Sequence, residues 1–240
     1  MRGLWWKMLC LLLLAYVLIA GLMAPVPSRF ILNETIRNLY FHVPMWFGMI
    51  GLFAGSAWHA IVYLRTGDLK ADIRSVEWLK SGVLFSIMGM VTGMIWAAYT
   101  WGEPWSNDPK QLGTAICMLS YFAYLILRGG VADEEKRAKI SAVYNVFAFA
   151  LLFPLLFVMP RMVDSLHPGN GGNPAFSNYD LDNRMRLVFY PAVIGWFLLG
   201  LWITTVAVRM RLLAYRAEQK ESRPTAGLKS APTGLSQTHV

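Results

Sequence analysis

Six stretches of the chain are long and apolar enough to cross a lipid bilayer, and they leave little sequence for anything else. They cover residues 5–24, 45–64, 81–100, 111–127, 140–160 and 187–208. A helix that spans a bilayer needs about 20 predominantly apolar residues. Asp, Glu, Lys and Arg are absent from five stretches, and the first contains only Lys7 near its start. The sequence therefore predicts an all-α integral membrane protein, folded as a six-transmembrane-helix bundle.

The composition also favours lipid as the main solvent. Apolar residues make up 56% of the chain and charged residues 15%, against about 45–50% and roughly 25% in soluble domains. Pro25 and Pro27 follow the first stretch without a clear small-x-small cleavage site, so we predict an uncleaved first helix rather than a signal peptide. We divide the chain into a membrane domain, 1–210, and a basic tail, 211–240, which we predict to be disordered and to touch anionic lipid heads.

The basic residues are distributed unequally between alternate loops. Sixteen of the 22 Lys and Arg residues fall in the N-terminus, 65–80, 128–139 and the segment from 209 onward. The remaining six lie in 25–44, 101–110 and 161–186. The positive-inside rule places the first set in the cytoplasm, so both termini are predicted to be cytoplasmic. The net charge of +8 is explained by this topology, and the scattered cations argue against nucleic-acid binding.

The unusual residues fall on the predicted outer side. His42 precedes Pro44 and is expected just outside the second helix, because proline favours a helix start. Gly102 and Pro104 lie between Trp101 and Trp105 and predict a tight loop there. His167 lies in a long Gly- and Asn-rich segment. These residues are therefore expected at one surface of the bundle.

Two other residues have plainer interpretations. Asp108 precedes Pro109 and fits the N-cap of the fourth helix. His59 follows His42 by 17 positions, which is roughly 25 Å along a helix. It is therefore expected near the cytoplasmic end as a packing residue.

The outer residues suit a flat, apolar, iron-containing ligand. Haem iron accepts imidazole nitrogen at its axial positions, and indole rings pack against an aromatic macrocycle. Guanidinium groups suit the anionic propionates, and four arginines are predicted near this side: Arg37, Arg161, Arg184 and Arg186. The combination predicts a haem site on the outer face.

Three other functions are to be weighed against these features. A membrane b-type electron-transfer subunit needs paired histidines within its helices, and the apolar stretches offer no such pair. A small-molecule permease tends to carry charged groups at mid-membrane, where this chain has none. A scaffold subunit of a larger complex would tolerate changes in its outer loops.

The stretch "TWGEPWSND" resembles the tryptophan-rich signature W-G-x-x-W-x-W-D of haem-handling membrane proteins. With "YFHVPMWFGM" at the second helix and six predicted helices, the chain is most similar to the CcmC family, which delivers haem in bacterial cytochrome c maturation. The resemblance implies that the haem-binding residues are Trp101, Gly102, Trp105, Asp108 and the axial ligands His42 and His167. Asn107 replaces the third tryptophan, and Trp96, Tyr99 and Trp46 offer aromatic surfaces at the same end.

The resemblance also implies a role and partners. Members of this family present haem b at the periplasmic face of the bacterial inner membrane and pass it to the periplasmic haem chaperone CcmE. The small membrane protein CcmD and the ATP-binding-cassette complex of CcmA and CcmB are the other implied partners. Such a protein is a haem carrier rather than an enzyme, and this chain has no G-x-x-x-x-G-K-[ST] nucleotide motif.

Overall fold

The computed structural model describes residues 3–28, 30–167 and 181–221, and within them the chain is helical without a strand. The helices are α1 (Trp5–Met23), α2 (Leu39–Thr66), α3 (Leu69–Trp101), α4 (Pro109–Gly129), α5 (Glu134–Phe153), α6 (Met159–Met162) and α7 (Asn183–Glu221). A 3₁₀ turn, Asn33–Asn38, leads into α2, and a π-helical turn, Pro154–Val158, joins α5 to α6. Counting each turn with its helix, six helices of the described chain are long and apolar enough to cross a membrane. The predicted all-α bundle is confirmed.

Several helices extend beyond the apolar stretches that predicted them. Asp68 and Asp133 accept hydrogen bonds from backbone N–H groups at the starts of α3 and α5, which lets polar sequence begin each helix. Gly67 ends α2 with a φ of 69°, a left-handed conformation that glycine adopts without steric cost. α7 continues to Glu221, past the boundary at residue 210, and residues 222–240 of the expected tail lie outside the described residues.

Helix α2 lies at the centre of the bundle. It packs against α3, α5 and α7, whereas α1 packs mainly on α7 and α4 mainly on α5. Gly48 of α2 faces the ring of Phe85, and Gly82 of α3 faces the ring of Phe53, so α2 and α3 approach closely. The main core combines side chains from α2, α3, α4 and α5: Met45, Met49, Leu52, Phe53, Leu79, Val83, Phe85, Cys117, Tyr121, Tyr124, Ala148 and Leu152.

A buried ion pair fixes the end of the bundle where α3 begins and α4 ends. Both terminal guanidinium nitrogens of Arg128 donate to Asp72, at 2.9 and 2.5 Å. The side chains are only 17% and 5% exposed. Two parallel hydrogen bonds satisfy the carboxylate in a low-dielectric setting, so the two helix ends are locked together.

A glycine on α4 lets the π-helical turn come close. A Cβ added at Gly113 would overlap the carbonyl oxygen of Leu155 and lie 3.0 Å from the Met159 methyl group. Pro154 opens the wide turn, where its missing N–H cannot make the usual helical bond. The chain after α6 is thereby carried back toward the start of α4.

We expect Gly113→Ala to destabilise the protein by about 1–3 kcal/mol, because the methyl group meets backbone that must shift. Thermal unfolding in detergent measures the change. Gly129→Ala on the same helix is the matched control, since a Cβ there meets no atom within 4 Å and alanine favours the helix. A Gly113→Ala protein as stable as wild type would show that the π-helical turn yields without cost.

Candidate functional site

The loop segments predicted on the outer side meet at one end of the bundle, which we call the aromatic end: the end where α3 finishes and α4 begins. The indole N–H of Trp96 donates to Thr35 in the 3₁₀ turn at 3.1 Å. Asn38 donates to the carbonyl of Thr92 at 3.2 Å. The third segment joins the same end through His167, whose ring meets Trp101 edge-on with centroids 4.8 Å apart.

The loop between α3 and α4, which we call the tryptophan loop (102–108), is held by its own polar groups. Gly102 has a φ of 88° and Asn107 a φ of 57°, and both conformations suit those residue types. The indole N–H of Trp105 donates to the Asn107 side chain at 2.8 Å. Asn107 thus shapes the loop where the family signature has a third tryptophan.

Gln111 connects the tryptophan loop to α4, a role that the sequence pattern did not reveal. Its side-chain oxygen accepts from the backbone N–H of Ser106 at 3.0 Å, and its amide donates to the carbonyl of Pro104 at 3.1 Å. Gln111 is 8% exposed, so these contacts are shielded from water. They hold the loop against α4, while Trp101 and Trp105 remain partly exposed.

Asp108 brings the third segment to the tryptophan loop. It caps α4 by accepting from Lys110 N–H at 2.9 Å, as predicted. The same carboxylate accepts from the backbone N–H of Leu166 at 2.6 Å, from the Ser165 hydroxyl at 2.9 Å and from His167 Nδ1 at 2.7 Å. One buried side chain therefore holds three consecutive residues of the third segment.

The environment of Asp108 keeps its carboxyl ionised. Burial alone raises the pKa, but the hydrogen bond and charge of His167 and the N–H groups of Leu166 and Lys110 outweigh it. The pKa is held well below its usual range. An ionised carboxylate can only accept hydrogen bonds, so Nδ1 of His167 carries the proton. On a neutral ring, Nε2 then carries the lone pair that binds a metal.

His42 lies within α2, which corrects the prediction that it sits just outside the second helix. The 3₁₀ turn starts the helical path early, α2 begins at Leu39, and Pro44 falls inside the helix. His42 is only 8% exposed. Its Nδ1 lies 3.0 Å from the carbonyl oxygen of Gly89, so the imidazole is embedded between α2 and α3.

Two tryptophans surround the imidazole of His42. Trp46 and Trp96 both meet it edge-on, with ring centroids 5.8 and 6.0 Å away. Because Trp96 and Trp101 lie little more than one turn apart on α3, the surroundings of His42 and those of His167 are parts of one aromatic end. His59 contacts Trp78 instead, with centroids 5.9 Å apart.

The arginines predicted near the rim are used differently. Arg37 pairs with Glu34 at 2.7 Å and donates to the carbonyls of Gly21 and Ala24 at the end of α1, so much of its hydrogen-bonding capacity is committed. Arg161 donates to the carbonyl of Phe157 at 2.6 Å. The other two lie near the start of α7, where Arg186 donates to Asn183 at 3.3 Å and Arg184 is exposed.

The donor set does not suit a bare metal ion. Among the described residues, no three His, Cys, Asp or Glu side chains converge as ligands. An iron whose porphyrin supplies four nitrogens needs only one or two further ligands. The two histidines with their surrounding indoles therefore fit haem better than a free cation.

Comparison with known proteins agrees with this chemistry. A family model described as "Heme exporter protein C" matches residues 2–223. Heme exporter protein C of Haemophilus influenzae is 25% identical over 211 residues, covering 88% of this chain and 85% of that protein. The Escherichia coli protein of the same name is 22% identical over 187 residues, or 78% and 74% of the two chains. Cytochrome c biogenesis protein CcsA of Parasynechococcus marenigrum is 34% identical over 92 residues, 38% and 30% of the chains.

Proposed function

The chain belongs to the heme exporter protein C family, whose model covers residues 2–223, and we propose on this basis that it binds haem at the aromatic end and delivers it to a partner. The family relationships indicate haem handling in cytochrome c biogenesis, in a multi-pass membrane protein. The observation that carries the more specific proposal is the geometry of His167. Its Nδ1 is held by Asp108 at 2.7 Å, and its ring packs against Trp101.

A carboxylate behind the imidazole is the arrangement that orients metal-binding histidines. The hydrogen bond to Nδ1 fixes the tautomer and the ring orientation, and it makes Nε2 a stronger ligand. We propose that His167 and His42 are the axial ligands of haem b. Trp101 and Trp105 support the macrocycle, while Gly102 and Asp108 shape the loop and the ligand.

The exposure of the site supports a carrier function. The side chain of His167 is 25% exposed, and both motif tryptophans are partly exposed. A ligand held at the end of a bundle, on one side by loop residues, keeps one edge accessible, whereas a resident electron-transfer haem is enclosed by helices. We propose that a partner takes haem from this exposed edge. In such a transfer no bond of the porphyrin is made or broken.

The proposal includes a location and a set of partners. The distribution of Lys and Arg favours cytoplasmic termini, and we propose on this basis that the aromatic end lies on the periplasmic side of the inner membrane. We propose a CcmE-like chaperone as the acceptor, with a CcmD-like small membrane protein and a CcmA/CcmB-like ATP-binding-cassette complex as further partners. The name of the matching family supports such a system.

The experiment that tests the proposal is an absorbance titration of the detergent-purified full chain with haem, followed by addition of a haem-free CcmE-like chaperone. We expect a shifted Soret band on binding and its decay as the acceptor fills. Failure to bind haem would reject the proposal. Haem that binds stoichiometrically, undergoes reversible reduction and never transfers would instead favour the electron-transfer alternative.

A further inference from the structure

We propose that Trp46 is a latch on His42: in the haem-free protein its indole N–H occupies the imidazole nitrogen that would bind iron. Haem must break this hydrogen bond to gain its second axial ligand, and the bond forms again as haem leaves. This inference rests on the proposed function and names the residue that sets how reversible binding is.

The contacts of His42 fix the tautomer of its imidazole. Nδ1 faces two oxygens, the carbonyl of Gly89 at 3.0 Å and the hydroxyl of Thr92 at 3.2 Å. The Thr92 hydroxyl proton is directed to the carbonyls of Met88 and Gly89, at 2.8 and 3.1 Å, so its oxygen is left to accept. Nδ1 must therefore carry the proton, and on the neutral ring Nε2 carries the lone pair.

Trp46 supplies the donor that meets this lone pair. The indole N–H of Trp46 lies 3.2 Å from His42 Nε2, and an indole can only donate. Residues four apart share a helix face, so α2 itself aligns the two rings. The one nitrogen of His42 that could bind iron is thus already satisfied within the protein.

Two glycines of α3 accommodate the His42 and Trp46 rings. A Cβ at Gly93 would lie 2.5 Å from the His42 ring, and one at Gly89 would lie 2.9 Å from the Trp46 ring. The two glycines are one helical turn apart, so each ring lies against bare backbone. Larger residues at these two positions would displace the rings and with them the hydrogen bond between Trp46 and His42.

The two histidines consequently differ in readiness. His167 has Nδ1 held by a carboxylate and a side chain that is 25% exposed, whereas His42 is buried and has its ligand nitrogen covered. We infer an order of events in which His167 captures the iron first and His42 binds after Trp46 withdraws. Release reverses the order, and the returning indole competes with iron for Nε2.

Trp96 supplies a matched control. It meets the same imidazole edge-on at a similar centroid distance, 6.0 against 5.8 Å. Its N–H, however, donates to Thr35 at 3.1 Å rather than to His42. Substitution of either tryptophan by phenylalanine removes one indole N–H beside His42, but only the Trp46 change uncovers Nε2.

The test is the rate of haem release from the loaded full-length protein into excess apomyoglobin, followed by absorbance. We expect Trp46→Phe to release haem about fivefold more slowly than wild type, which is the factor that one net hydrogen bond is worth. Trp96→Phe keeps the indole N–H of Trp46 on Nε2, so it should not slow release. Equal or faster release from Trp46→Phe overturns the latch, and absence of haem binding in every variant rejects the proposed function instead.

A second measurement needs no haem and no Trp46 variant. Ultraviolet resonance Raman bands of indole report whether the N–H is hydrogen-bonded, and a difference spectrum compares haem-free wild type with haem-free His42→Ala. We expect one indole N–H to lose its hydrogen bond in the variant. An unchanged indole spectrum overturns the latch even if Trp46→Phe fails to fold.

Discussion

His167→Ala is expected to abolish the Soret shift that haem produces in the wild-type protein. The substitution removes the imidazole that Asp108 orients and that lies beside Trp101 at 4.8 Å, which is the more accessible of the two proposed axial ligands. The loss of haem affinity should exceed the roughly 10–100-fold that removal of an orienting partner behind a metal ligand costs. Haem titration of detergent-purified protein, followed by absorbance, measures it.

Two further variants in the same titration provide a partial effect for comparison and a control. Asp108→Ala retains the imidazole but removes the carboxylate that fixes it, so affinity should fall by about 10–100-fold. His59→Ala changes a histidine that contacts Trp78 and lies outside the aromatic end, and its spectrum should match wild type. Unchanged spectra in both His42→Ala and His167→Ala would reject the axial-ligand assignment.

Arg128→Ala is expected to destabilise the fold by about 3–5 kcal/mol, because it leaves the buried Asp72 carboxylate without its partner. Asp72 is 5% exposed on its side chain and accepts two hydrogen bonds from this guanidinium. Thermal unfolding in detergent should show the loss as a lower midpoint. Haem affinity measured below that temperature should be unchanged, since the pair lies at the opposite end of the bundle from the aromatic end.

A surface ion pair on α7 provides the comparison. Arg211 and Glu218 are 2.9 Å apart, but their side chains are 42% and 59% exposed. Arg211→Ala should change stability by less than about 1 kcal/mol. If Arg128→Ala were equally mild, the interior around Asp72 would have to admit water or neutralise the carboxyl.

The helices and the end of the bundle that carries the site were predictable, because both depend on simple periodic or local signals. Apolar stretches define membrane helices, and Asp108 followed by Pro109 defines the start of α4. Trp101 and His167 do meet, as a common outer face required. The side of the membrane on which this end lies remains a prediction from charge.

The depth of His42 was not predictable, because Pro44 is compatible with a helix start as well as with a position inside the first turns. A 3₁₀ turn ahead of α2 resolves this choice, and sequence patterns specify such turns poorly. The hydrogen bond from Trp46 to His42 was not predictable for a related reason. Spacing alone puts His42 and Trp46 on one face, but only the carbonyl of Gly89 on another helix selects the tautomer.

The functions of Gln111 and Asn107 were also beyond the sequence. Gln111 looked like the first residue of an apolar stretch, yet it binds both Ser106 and Pro104. Asn107 looked like a missing tryptophan, yet its left-handed backbone and its bond to Trp105 help define the loop. Both roles depend on backbone atoms, whose positions no residue-type pattern records.

The wide turn at Pro154–Val158 has a consequence for how this site tolerates change in length. An α-helix advances about 100° per residue, and a π turn absorbs an additional residue without lengthening the helix by a full step. Helix α6 therefore keeps an angular phase that a regular helix would not give it. A lineage that lost the additional residue would turn α6 by about 100° and displace the start of the segment that carries Ser165 and His167, while leaving both side chains unaltered.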